Sequence, residues 1–278
     1  IPPSVLFVLY AILTETDLVA LFIAGVIPGC IAIVLYNIVI LIIYKYKPVW
    51  LPRGQSSSWG ERFDSLKDVW ATLLLFFVVV GGIFTGFVTV TEAAGLGVFG
   101  ALVIGVARRS LPWPVLVDTL VDALRTTAAI FFIVIAAFLF QYFLAVTQMS
   151  QLLADGLVAM KLPPLGVVIG ILAFYIIAGM FVDEIAMILL TIPIFFPIVT
   201  GLGFDPVWFG VLVVVTVQIG LICPPVGIIC FIMNSMVPDI GLINIYKGAL
   251  PFVVADLFWL ALLIAFPPLS LWLVKFVG

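Results

Sequence analysis

Between Leu18 and Tyr44 the chain carries no charged side chain, and apolar runs of this kind recur to its end. Such a run is long enough for a helix to cross a hydrocarbon core of about 30 Å, which takes about 20 apolar residues. Only 9% of the 278 residues are charged, 65% are hydrophobic, and mean hydropathy is +1.43. A soluble domain carries about 25% charged residues. With so few, this chain cannot clothe a water-facing surface, and the bilayer is its expected solvent. Net charge is -3 with acids and bases scattered, so no basic patch points to nucleic acid. Histidine is absent, which removes the commonest general base and metal ligand, and with it any H-E-x-x-H zinc site. Cys30, Cys223 and Cys230 all sit in apolar runs, where a disulfide framework is not expected. The opening Ile1-Pro2-Pro3-Ser4 leads straight into an apolar run without a basic leader or cleavage site. It is expected to lie inside a membrane segment of a longer protein, not in a signal peptide.

Spanning helices are predicted over Leu18–Tyr44, with Asp17 as N-cap, and over Val69–Val88, Glu92–Val106, Ala128–Val146 and Leu250–Phe276. The long polar stretch Lys45–Lys67 holds Lys45, Lys47, Arg53, Arg62 and Lys67, so the positive-inside rule makes it a cytoplasmic loop. Thr89-x-x-Glu92 fits a capping box, and Arg108-Arg109 close the helix that follows. In Pro112–Arg125, Val115, Leu116, Leu120 and Leu124 alternate with Asp118, Asp122 and Arg125 at helical spacing. That pattern predicts a separate helix lying in the interface. Thr147–Lys161 is a mixed, amphipathic connector, and Trp50, Trp113 and Trp272 are interface anchors. Thr216 and Gln218 are expected to hydrogen-bond between helices.

From Pro163 the pattern changes. Leu165–Met180 and Ile185–Val199 are each short for a full span, and Asp183-Glu184 separate them. Two short helices meeting at an acidic tip predict a re-entrant hairpin, tolerated only where it is buried in protein or faces water. Val207–Ile222 then runs into Cys223-Pro224-Pro225-Val226-Gly227 before an apolar stretch resumes through Met236, which predicts a helix broken in mid-membrane. The start of the chain repeats this plan. Ile1-Pro2-Pro3-Ser4, a half-helix and Ala24-Gly25-Val26-Ile27-Pro28 compare with Cys223-Pro224-Pro225-Val226, a half-helix and Gly248-Ala249-Leu250-Pro251. Paired, Pro-interrupted segments in two copies point to the binding site of a repeat-built transporter. The fold class is therefore all-α: a polytopic membrane protein with a re-entrant hairpin, broken helices and inverted repeats.

The string Gly179-Met180-Phe181-Val182-Asp183, Ile192-Pro193-Ile194-Phe195-Phe196-Pro197, Leu202-Gly203-Phe204-Asp205-Pro206 and Ile219-Gly220-Leu221-Ile222-Cys223-Pro224-Pro225-Val226-Gly227 closely resembles the large membrane subunit of tripartite ATP-independent periplasmic (TRAP) transporters. Gly81-Gly82-Ile83-Phe84 through Thr91-Glu92-Ala93-Ala94 adds to the likeness, which covers essentially the whole chain. The resemblance implies an elevator-type carrier in the bacterial inner membrane, with a mobile transport domain held by a scaffold. It also implies a periplasmic substrate-binding protein, a small membrane subunit, and small carboxylate cargo (C4-dicarboxylates, sialic acids or similar acids) driven by a sodium gradient. No cofactor is implied beyond sodium as coupling ion. Residues 1–17 would then be the second half of a first-repeat broken helix, 18–111 mainly scaffold, and 112–127 an interfacial arm. Residues 128–161 would be a span and connector, 163–236 the second hairpin and broken helix of the transport domain, and 237–278 the last span. Three positions depart from the family's usual pattern. Cys223 stands where Thr is usual, Glu184 adds a second acid beside Asp183, and Gly86–Thr91 lacks a Pro between its threonines.

Within that frame the residues suggest the chemistry. Sodium is a hard cation and prefers oxygen, and a helix stopping in mid-membrane leaves up to four carbonyls unpaired at the negative end of its dipole. The expected cation ligands are Gly179, Met180, Asp183, Gly220, Cys223, Pro224 and Gly227, with Pro2 in the first copy; a thiol is a poor ligand, so Cys223 would serve through its carbonyl. The helix starts after Asp183 and after Gly227 are expected to offer free N–H groups to a substrate carboxylate. Ser4, Pro3, Pro225, Val226 and Asn234 complete the expected cargo site. Pro224 and Pro225 stop the helix, and Gly227 lets the backbone re-enter at unusual dihedrals. One rival is a sodium-coupled carboxylate carrier of the same build that needs no binding protein. Another is an intramembrane aspartyl protease, which needs two facing carboxylates. Asp183 and Glu184 are adjacent, and no second acid is expected deep in another helix.

Overall fold

The computed structural model describes residues 2–50, 58–149, 152, 156 and 162–276. Ile1, Arg53 and most of the predicted connector Thr147–Lys161 lie outside the described residues. Among the described residues there is no strand. The helices are α1 (Val5–Thr14), α2 (Leu18–Ala24), α3 (Val26–Tyr46), α4 (Trp59–Phe84), α5 (Val90–Ala107), α6 (Trp113–Thr147), α7 (Pro164–Gly179), α8 (Glu184–Gly201), α9 (Pro206–Ile222), α10 (Ile228–Met236), α11 (Leu242–Ala265) and α12 (Pro268–Leu271). Among them five stretches are long and apolar enough to cross a membrane, or six when α4, bent by 65° between Lys67 and Val69, is taken as one span. By contrast α1, α7 and α9 are apolar but shorter.

Two compact units form, Ile1–Lys45 with Ile130–Gly278, and Tyr46–Ala129. The segment expected as scaffold, 18–111, therefore divides at Lys45: α2 packs on α9, whereas α4 and α5 pack on each other. In the first unit α9 is the core. Every residue from Trp208 to Val217 is buried, as for a helix that is apolar all round. Around it lie α7, α8, α11, α2 and α1. Burial in lipid exchanges one apolar contact for another, so close packing and interhelical hydrogen bonds, about 0.6 kcal/mol each on average, must hold these helices. Tyr10 of α1 is fully buried between Phe196 of α8 and Phe209 of α9, with ring centroids 6.0 and 6.4 Å away. Its hydroxyl donates to the Pro206 carbonyl at 2.7 Å. Trp208 Nε1 donates to the Leu263 carbonyl at 3.1 Å and ties α9 to α11. The hydroxyls of Tyr175 and Thr191, 2.6 Å apart, tie the hairpin arms α7 and α8 together.

Local chemistry sets the helix ends. Asp17 accepts from Val19 N–H at 3.0 Å, the expected N-cap. The predicted span over Leu18–Tyr44 forms as one stretch, Leu18–Tyr46, in which Pro28 removes one helical donor near Gly25, where α2 gives way to α3. In the second unit Thr89 and Glu92 form the expected capping box, with Thr89 N–H to Glu92 Oε2 at 2.8 Å and Glu92 N–H to Thr89 Oγ1 at 3.3 Å. The polar stretch 45–67 is not a simple loop. Helix resumes at Trp59, where Ser58 and Glu61 form another capping box, so the amphipathic first turns of α4 are helical before the bend. A second correction concerns 112–127. The interfacial helix and the following span are one helix, α6, because Thr126-Thr127 offers no Gly or Pro to end it.

Candidate functional site at the hairpin tip and the helix break

The hairpin and the broken helix meet where both sequences place glycine. A Cβ on Gly220 would lie 2.8 Å from Gly179 Cα and 3.0 Å from both Gly179 C and the Ile176 carbonyl. The end of α7 and the end of α9 are thus in backbone contact, with no side chain between them.

Each of these ends carries carbonyls that the chain leaves without ordinary partners. Past α7, the amides of Met180, Phe181 and Val182 turn back to the carbonyls of Ile177 and Ala178. Among the described residues, no backbone hydrogen bond of this turn reaches the carbonyls of Gly179 or Met180. At the end of α9, a regular helix would have the residues at 224 and 225 donate to Gly220 and Leu221. Both are proline and have no N–H. Cys223 N–H covers Ile219 and Gly220 at 3.1 and 3.2 Å, and the Cys230 thiol faces the Ile222 carbonyl at 3.6 Å. Each carbonyl has two lone pairs, so one such bond leaves acceptor capacity. An all-oxygen, carbonyl-rich donor set of this kind suits a hard cation.

The break itself is held from two sides. Gly227 adopts φ 55, ψ 82, and a Cβ there would come within 2.9 Å of the Cys223 carbonyl, so only glycine fits the return of the chain. From α11, the Tyr246 hydroxyl sits 2.7 Å from the Pro225 carbonyl and 2.6 Å from that of Val226. Nothing in the sequence marked this tyrosine. At the tip, Gln218 of α9 donates to Glu184 Oε2 at 2.6 Å, so Glu184 joins the hairpin to the broken helix. Gln218 thereby makes the interhelical bond expected of it. Thr216 does not: fully buried, it donates within α9 to the Leu212 carbonyl.

The helix starts divide into two groups. Asp183 Oδ1 accepts from Ile185 N–H at 3.0 Å and Ala186 N–H at 3.3 Å, so the start of α8 is already capped. The expectation that free N–H groups follow Asp183 is corrected on this point. The starts of α10 after Pro224-Pro225 and of α1 after Pro2-Pro3 have no side-chain cap. These two starts leave their first N–H groups, at the positive ends of the helix dipoles, without a side-chain acceptor. Pro2 packs against Gly25, where a Cβ would meet its Cγ at 2.8 Å. Among the described residues no hydrogen bond joins Pro2, Pro3, Ser4 or Asn234 to the hairpin tip. The structure thus brings Gly179 against Gly220 and ties Glu184 to Gln218, and Gly227 folds back on the Cys223 carbonyl within the break.

A second acid does lie deep in another helix, against expectation. Asp256 of α11 is 3% exposed and accepts from the Tyr36 hydroxyl at 2.7 Å. Its partner is a phenol and not a second carboxyl, so the facing pair that a protease needs is not formed.

Five helical stretches long and apolar enough to cross a membrane, with shorter apolar helices α1, α7 and α9 and no strand among the described residues, define an all-α polytopic membrane protein. The family model described as the tripartite ATP-independent periplasmic transporter, DctM component, matches residues 1–269. The chain belongs to that family. It is 34% identical over 275 residues to the sialic acid TRAP transporter large permease protein SiaM of Vibrio cholerae, covering 98% of this chain and 63% of that protein. It is 35% identical over 280 residues to the C4-dicarboxylate TRAP transporter large permease protein DctM of Pseudomonas aeruginosa, covering 100% of this chain and 65% of the relative. With the ectoine TRAP transporter large permease protein TeaC of Halomonas elongata it shares 32% identity over 275 residues, 98% of this chain and 64% of that protein. The chain therefore spans a little under two thirds of the length of these relatives.

Proposed function

We propose that the protein to which this chain belongs carries out sodium-coupled secondary transport of a small organic acid across the bacterial inner membrane. Cargo is delivered by a periplasmic binding protein, and a small membrane subunit completes the permease. One observation carries this reading: the backbone contact of Gly179 with Gly220, which brings two sets of under-used carbonyls to one place. Sodium binds there through carbonyls of Gly179, Met180 and Gly220, with those of Cys223, Pro224 and Gly227 at the break and Asp183 supplying formal charge nearby. Pro2 is the first-copy counterpart. A substrate carboxylate takes the uncapped starts of α10 and α1, lined by Pro225, Val226 and Asn234 and by Pro3 and Ser4. Relatives named for sialic acid and C4-dicarboxylates, both carboxylates, support that cargo class. Transport then moves the hairpin, break and bound ion together past the scaffold.

The test is uptake of labelled organic acids by the full-length protein, reconstituted with its companion subunits, with and without a sodium gradient. Sodium-driven uptake that collapses in Asp183→Ala supports the charge role of Asp183. Uptake that survives with an unchanged sodium requirement reduces Asp183 to the cap of α8, and uptake indifferent to sodium removes the coupling mechanism.

A further inference from the structure

Asp256 is the one acid among the described residues that is buried, and it lies well inside the apolar span of α11. Its Oδ1 accepts from Tyr36 of α3, whose ring packs edge-on against Phe252, one turn before Asp256, at 5.6 Å between centroids. The elements packed on α11 bring few groups able to titrate or carry charge. They are Tyr36 on α3, with Cys30, Tyr44, Lys45 and Tyr46 elsewhere on that helix, Cys223 at the end of α9, Cys230 on α10, and Asp239 in the turn before α11. Cys223 is within electrostatic reach of Asp256. On α11 itself Tyr246 and Lys247 lie in the first turns, and Lys247 is about 13 Å along the helix from Asp256 at 1.5 Å per residue. Among the described residues no Lys or Arg forms an ion pair with Asp256.

A carboxylate buried at membrane depth must be neutralised, and a neutral phenol supplies no charge. As interhelical glue the pair would work equally well with Asn, whose carbonyl also accepts from Tyr36. The acid is therefore in excess of what packing requires. We propose that Asp256 binds an exchangeable monovalent cation, a proton or sodium, at a site on α11 distinct from the hairpin tip, with Tyr36 orienting its carboxyl. This site does not draw on the carbonyls of Gly179 and Gly220, although Cys223 of the break lies within its electrostatic reach. Because α11 packs on both α9 and α10 and grips the break through Tyr246, occupancy of Asp256 is communicated to the broken helix.

Infrared difference spectra of the full-length protein in lipid nanodiscs, recorded across a pH jump and across a sodium jump at fixed pH, test this without any transport assay. The expected result is a carboxyl signal that is lost in Asp256→Asn and shifted in frequency in Tyr36→Phe. The second variant keeps the test decisive where the first does not fold. A signal moved by pH alone identifies the proton, and one moved by sodium at fixed pH identifies sodium. Spectra in which neither jump yields a carboxyl signal sensitive to Tyr36→Phe or Asp256→Asn overturn the proposal.

Discussion

Adding one methyl group to Gly220 tests the junction between the hairpin and the broken helix directly. The new Cβ would stand 2.8 Å from Gly179 Cα, whereas ordinary contact begins at 3.4 Å, so the two backbones must part by about 0.6 Å. The obstacle is main chain on both sides, and no side-chain rotation relieves it. Overpacking of this kind costs about 1 to 3 kcal/mol, and replacing Gly by Ala in a helix returns about 1 kcal/mol. The net loss of stability is then about 0 to 2 kcal/mol, and the variant should fold. Function is more exposed, because a constellation of ligands tolerates displacement of only about 0.5 Å. The expected result for Gly220→Ala is a rise of about tenfold or more in the sodium concentration for half-maximal uptake, equivalent to about 1.4 kcal/mol. The assay is uptake in proteoliposomes at varied external sodium, with the melting temperature of the solubilised protein measured alongside. Gly179→Ala should be milder, since its Cβ meets Gly220 Cα at 3.2 Å and the flexible end of Met187 at 3.3 Å. Gly170→Ala, on α7 with no atom within 4 Å of its Cβ, should leave sodium dependence unchanged. A Gly220→Ala protein with wild-type sodium dependence would show that the glycine contact does not position an ion site.

Two further outcomes follow from hydrogen bonds described above. Tyr246→Phe removes the hydroxyl held by the Pro225 and Val226 carbonyls but keeps the ring. It should raise the KM for cargo several-fold with little change in melting temperature, and an unchanged KM would leave Tyr246 no part in positioning the break. Tyr10→Phe removes the hydroxyl that donates to the Pro206 carbonyl inside the first unit, which should cost about 0.5 to 1.5 kcal/mol. Thermal melting should report that loss while the KM for cargo stays as in the wild type, and an unshifted melting curve would show that the bond contributes nothing.

What could be read from the sequence is what the chain encodes locally. Pro224-Pro225 and Asp183-Glu184 interrupt apolar runs by removing donors or adding charge, so the break and the hairpin tip fall where expected. Gly227 has positive φ for the reason anticipated, and Thr89 with Glu92 caps α5. The failures are matters of tertiary context. Asp183 is the exception, since its carboxylate caps α8 through amides only two and three residues on, a local pattern. Asp256 passed for part of a plain span because one acid among apolar residues scarcely alters hydropathy. Only the approach of Tyr36 from α3 marks its position. Tyr246 gave no signal, since a tyrosine in the first turns of a span reads as an interface residue. The division of α6 into an arm and a span rested on charge pattern alone, and helix propensity carried the backbone through it.

The seat of Tyr10 has a consequence for how the protein is made. Its hydroxyl waits for a carbonyl 196 residues further along the chain, and its ring for Phe196 and Phe209. At about 5 to 20 residues per second of synthesis, α1 leaves the ribosome roughly 10 to 40 s before its partners exist. Through that interval Tyr10 lacks the rings and the carbonyl that later enclose it, although α2 already packs on α1. Insertion must therefore hold α1 with the seat of Tyr10 unfinished until α8 and α9 arrive to enclose it.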